Sequence, residues 1–106
     1  MTAAAVEIGH ERLARLREAI QRGRVSFPAQ APRFPREYRA DVQARAAVLY
    51  FVRGWGIADI ARRYEMTSSR VRQLLRQWTI CAAASGYLER VGTRRWGLRL
   101  GNSPVR

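Results

Sequence analysis

With 106 residues the chain has room for one compact core and a short appendage, which argues against a multidomain enzyme. Twenty basic residues, every one of them Arg, stand against eight acidic ones, and the net charge of +12 draws polyanions from a distance. A hydrophobic share of 47% argues for a folded chain, while one cysteine and one histidine leave no internal disulfide, no familiar metal site and no nucleophilic pair.

The basic excess is uneven: residues 42–106 hold twelve Arg against Asp59, Glu65 and Glu89, and residues 1–41 hold eight against five acids. No basic and apolar leader opens the chain, and the longest uncharged stretch, Gln77 to Leu88, is too short to span a bilayer. The expectation is a cytoplasmic, nucleoid-associated protein that needs no cofactor and is not an enzyme. Cys81, inside the apolar run Thr79 to Ala84, reads as a small buried thiol without chemistry.

Residues 7–22 predict a first helix, since Leu13, Leu16 and Ile20 recur at helical steps and Gly23 supplies a stop; residues 1–23 form an amino-terminal unit. Its narrow apolar stripe is a candidate homodimer contact or a surface that folds back on the domain. Residues 24–35 carry Pro28, Pro32 and Pro35, whose fixed φ angles and missing amides favour an extended linker. A second helix is expected from Pro35 or Arg36 to about Arg53, with Tyr38, Val42, Ala46, Leu49 and Val52 inward. Arg36, Arg39 and Arg45 read as its solvated face.

Gly54-Trp55-Gly56 ends that helix, with Trp55 read as a plug at a core edge, and Gly56 caps a third helix, Ile57 to Tyr64, whose Asp59 complements the positive helix end. Glu65 and Met66 form a turn. Thr67 caps a long fourth helix extending to Ser85, with Val71, Leu74, Leu75, Trp78 and Ala82 inward and Ser68, Ser69, Arg72, Gln73 and Arg76 outward. Tyr87 to Val91 and Arg95 to Leu100 have strand-like composition, and Gly92-Thr93 reads as a hairpin turn between them. Alternation sets Trp96 with Leu98 and Leu100 as core, and residues 101–106 are a tail.

Ile57 to Arg76 resembles the helix-turn-helix of bacterial repressors, sigma-factor promoter readers and transposase amino-terminal domains. Counting from Ile57, the pattern wants an apolar fourth residue, a small fifth, and apolar eighth, tenth, fifteenth and eighteenth residues; Ile60, Ala61, Tyr64, Met66, Val71 and Leu74 comply. Ala61 suits the closest approach of two steeply crossing helices. Glu65 departs from the pattern, which often has Gly there to allow positive φ. Gly86 to Leu100 looks like the wing of winged-helix regulators. The implied fold is mostly α with a small β-hairpin: a winged helix-turn-helix over residues 36–100, three helices plus wing, preceded by an extra amino-terminal helix.

What the resemblance implies is sequence-specific binding of double-stranded DNA in transcriptional control. The helix at 67–85 would enter the major groove, with Arg72 and Gln73 reading bases, Ser69, Arg70 and Arg76 on or beside that face, and Thr67 and Ser68 holding a phosphate. Arg94 and Arg95, at the tip of the expected wing, would reach phosphates or the minor groove. Such readers work with RNA polymerase or as homodimers through surfaces such as residues 7–22. The same motif also fits a transposase- or recombinase-associated DNA-binding factor, and the basic surface alone fits an adaptor for protein or RNA, although no RNA-binding signature accompanies it.

Overall fold

The computed structural model describes residues 3–92. Helices dominate them: α1 (Ala3–His10), α2 (Leu13–Gln21), α3 (Ala40–Ala47) running directly into a π-helical turn (Val48–Val52), α4 (Ile57–Tyr64) and α5 (Ser68–Ala84). None is long and apolar enough to cross a membrane.

The core is built around α5. Trp78 is fully buried, its ring centroid 5.5 Å from Phe27, 6.1 Å from Phe51 and 6.5 Å from Phe34. Its indole Nε1–H donates to Pro32 O at 3.0 Å, which satisfies the one polar group a buried Trp carries. Phe27, Phe34 and Pro32 all belong to the proline-bearing segment, and Val25 in the same segment is buried. The stretch expected as a linker is therefore a strap packed across the core. The prolines keep it extended, and its aromatic residues give it apolar area to bury.

The single amino-terminal helix expected over 7–22 is two helices. Arg12 adopts an extended conformation, φ −65° and ψ 140°, and separates α1 from α2. The break lets two short rods serve two neighbours: α1 lies along α5, and α2 lies along the π-helical turn. Gly9 makes the first contact close, since a Cβ there would sit 3.3 Å from Ile80 Cγ1. Arg17 fixes the second, donating to Trp55 O at 3.0 Å with its guanidinium 4.3 Å from the Tyr50 ring centroid. Leu13 and Leu16 are buried within the chain and Ile20 is half-buried against the same core, so the stripe considered for a homodimer packs largely on its own domain.

The second helix starts later than expected and faces differently. Arg39 sits in the left-handed region (φ 55°) and Ala40 opens α3, which leaves Tyr38 outside the helix and 67% exposed. The buried residues are Gln43, Ala44, Ala46, Ala47, Tyr50 and Phe51, with Val52 54% exposed. Of the expected inward residues only Ala46 is fully enclosed. Tyr38 is left out by the late start of α3, while Leu49 and Val52 lie in the π turn, in which Arg53 N–H reaches back five residues to Val48 O at 3.0 Å and side chains leave the α-helical register.

The expected wing is corrected. No β-strand occurs among the described residues, and Tyr87 to Val91 do not form the first strand of a hairpin. Instead Val25 and Arg90 make an isolated antiparallel bridge, flanked by Ser26 N–H to Glu89 O and Val91 N–H to Arg24 O, both 2.8 Å. The strap, already extended and tethered to Trp78, pairs with the backbone of this segment. Arg90 also bonds Glu7 and, at 2.6 Å, Glu11, joining this end of the chain to α1 and the following residue. The second expected strand, Arg95 to Leu100 with Trp96, and the tail lie outside the described residues.

The elbow between α4 and α5 is where sequence and backbone meet most tightly. Met66 N–H donates to Ala61 O at 2.9 Å, a closure that requires the intervening Glu65 to be left-handed, and Glu65 has φ 54° and ψ 52°. A side chain there costs roughly 1 kcal/mol that glycine avoids. Because Glu65 is exposed, Glu65→Gly should stabilise the chain by about 0.5–1 kcal/mol, glycine's greater unfolded freedom offsetting part of the gain. The thermal midpoint should rise by a few degrees; a fall would mean the elbow is not left-handed in solution.

Candidate nucleic-acid interface

α4 and α5 are joined by Glu65, Met66 and Thr67 alone, so their mutual angle is set by the elbow and by what packs inside it. Ile60 and Ala61 from α4 and Val71, Leu74 and Leu75 from α5 are buried. With those positions inward, helical periodicity sends Ser69, Arg72 and Gln73 outward, and all three are exposed. They form one row on the first two turns of α5.

Thr67 caps the helix, its Oγ1 accepting from Arg70 N–H at 3.1 Å. The first turn of α5 contains no acidic residue, so the positive helix end is unopposed on its own helix. Ser68, half-buried, and Ser69 lie beside it. From Thr67 to Gln77 no carboxylate occurs. This surface offers hydroxyls, backbone amides, a guanidinium and a carboxamide, the donor set that phosphates and base edges accept from.

Two residues of the row's surroundings have partners that the sequence does not announce. Arg70 donates from Nη1 to Gln73 Oε1 at 2.7 Å, and its guanidinium lies 5.1 Å from the ring centroid of Tyr38. The exposed Tyr38 therefore joins the edge of this face; its hydroxyl is of the kind that contacts DNA backbone. Helical periodicity alone would place it in the core, and the late start of α3 leaves it outside. Gln43, fully buried, links α3 to α5 through Nε2, which lies 3.2 Å from both Tyr38 O and Gln77 Oε1. No local pattern marks a glutamine for that position.

Arg76 continues the row by spacing but points elsewhere. Its Nη1 donates to Gly9 O at 3.1 Å and Glu11 O at 2.5 Å, occupying carbonyls at the end of α1. It is a clamp holding α1 on α5. Arg76→Ala should cost about 1–2 kcal/mol, since charged donors to half-buried carbonyls are worth roughly that much, and urea unfolding would read it. The same variant should leave any base preference intact, and a changed preference would return Arg76 to the reading face.

Arg94 and Arg95 lie outside the described residues. Of the arginines of the second helix, Arg39 occupies the left-handed position before α3, and Arg45 lines a cleft with Arg33, Arg53 and Arg63. Cys81 is half-buried; burial pushes its thiol up, with the charge of Glu37 and a hydrogen bond to it adding in the same direction, so the protonated, unreactive form is favoured. Comparison of the chain with protein-family models, curated proteins and solved structures finds no match.

Proposed function

We propose that the chain is a sequence-specific duplex-DNA-binding protein that acts in transcriptional control, laying the first two turns of α5 in the major groove. The observation that supports this best is the exposed row Ser69, Arg72 and Gln73 on a Thr-capped helix that starts directly after a tight elbow. Arg72 carries the planar donor fork that can bridge guanine O6 and N7, and Gln73 the carboxamide type that can pair with adenine N6 and N7. Thr67, Ser68 and the first amides of α5 would hold a phosphate and fix the register. The chain's +12 charge supplies affinity that does not depend on sequence and falls as salt rises.

Selection of bound fragments from random duplex DNA at fixed salt tests the reading. The expected result is an enriched motif with guanine beside adenine in each binding site, and weaker competition by duplex RNA, whose deep major groove excludes a helix. Equal affinity for RNA, or bound fragments with no shared motif, would overturn it.

A further inference from the structure

A second basic feature lies away from the reading row. The strap, α3, the π-helical turn, Trp55 and the end of α4 enclose an open cleft of about 760 Å³, the size of a small-molecule site, and no residue of α5 lines it. Its apolar wall includes Val48, Leu49 and the half-buried Trp55, with Tyr64 alongside. Arg45, Arg53 and Arg63 stand on the same cleft, all exposed and with no carboxylate partner among the described residues. Arg33 is there too, but it is paired with Asp41 at 2.8 Å.

We propose that this cleft binds an amphipathic organic anion: a planar ring carrying a carboxylate, sulfonate or phosphate. Three guanidinium groups without a carboxylate partner, that of Arg63 lying 5.2 Å from the Tyr64 ring centroid, outweigh the lone Asp41 of the lining and set the sign of the charge, and their planar donor forks suit an oxyanion. The apolar wall sets the rest of the ligand. A bare inorganic anion would leave Trp55, Val48 and Leu49 uncovered, whereas a ring gains by packing on the indole and burying that surface. A DNA backbone fits less well, because phosphates carry nothing to place on an apolar wall, and the α5 residues that would accompany them are absent from the lining. Occupancy would also touch Arg63 and Tyr64, the last residues of α4 before the Glu65 elbow, so a bound anion would brace the helix that orients α5.

The test does not need DNA. Naphthalene-2-sulfonate is titrated into the full ¹⁵N-labelled chain, following the Trp55 indole N–H, assigned by its loss in Trp55→Phe. The expected result is a saturable shift of the Trp55 indole N–H, with the backbone amides of Ala82 and Ala83, buried and outside the cleft lining, unmoved. The neutral analogue 2-naphthalenemethanol and the double variant Arg45→Gln, Arg53→Gln should each bind roughly tenfold more weakly or worse. Both arginines are exposed, so an unchanged Trp78 resonance shows that the variant is folded. Sulfate at equal concentration should not compete. An undiminished affinity in the double variant, equal binding of the neutral analogue, or parallel movement of the Ala82 and Ala83 amides would overturn the assignment. In a final arm, saturating duplex DNA should leave the probe bound; displacement would make the cleft part of the DNA surface and overturn it as well. A chain that fails to bind DNA but passes the titration would refute the DNA reading alone.

Discussion

Trp78→Ala should remove about 3–5 kcal/mol of stability, the cost typical of truncating a fully buried large aromatic. Domains of this size are stable by only about 5–15 kcal/mol, so the variant should sit near its unfolding threshold at room temperature. The loss goes beyond volume. Phe27, Phe34 and Phe51 all pack on this one ring, and its N–H holds Pro32 O, so the strap loses most of its attachment at once. Trp78→Phe separates the two contributions: it keeps a ring in the core and gives up the hydrogen bond, and should cost about 1–3 kcal/mol. Urea unfolding of both variants checks this. A Trp78→Ala cost below about 1 kcal/mol would mean that the strap is not held by this ring.

The parts of the fold that were legible in the sequence are those whose signals are local. The bounds of α4, Ile57–Tyr64, follow from Gly56 before it and from apolar Ile57, Ile60 and Tyr64 within it, and the structure places them at the expected residues. Thr67 caps α5 as expected, and the helix ends at Ala84, with Ser85 as its cap and Gly86 next to it at positive φ. The exposure of Ser69, Arg72 and Gln73 follows from the same periodicity, read against Val71 and Leu74.

What was not legible depends on partners distant in sequence. Nothing near Val48 announces a π turn; it arises where α3 must present Tyr50 and Phe51 to the core, and it carries the later residues out of helical register. Proline content marks residues 24–35 as extended, yet whether an extended segment is a linker or a strap is decided by Trp78, 46 residues beyond Pro32. The composition of Tyr87 to Val91 does suit pairing, but composition does not choose the partner, and the strap at Arg24 to Ser26 takes it. Arg76 looks like a reading residue by spacing because the carbonyls it satisfies, those of Gly9 in α1 and Glu11 just past it, lie more than sixty residues earlier.

Arg72→Ala should weaken binding to the selected DNA site by about 1–3 kcal/mol, roughly five- to 150-fold, and should abolish the preference for guanine at one position. Arg72 is exposed, so stability should hardly change, and the loss would be read as contact rather than folding. Gln73→Ala is expected to behave differently. Its carboxamide oxygen accepts from Arg70 in the free chain at 2.7 Å, so that bond must be exchanged before both ends of the amide can face adenine. The net cost should therefore be smaller, about 1 kcal/mol, and Arg70→Ala should alter it, because residues sharing a hydrogen bond are not additive. Competition binding against every single-base substitution of the site resolves these effects. If Arg72→Ala weakens all sequences equally and lowers the salt slope by about one, Arg72 is a phosphate contact, and α5 orients the chain on DNA without reading it.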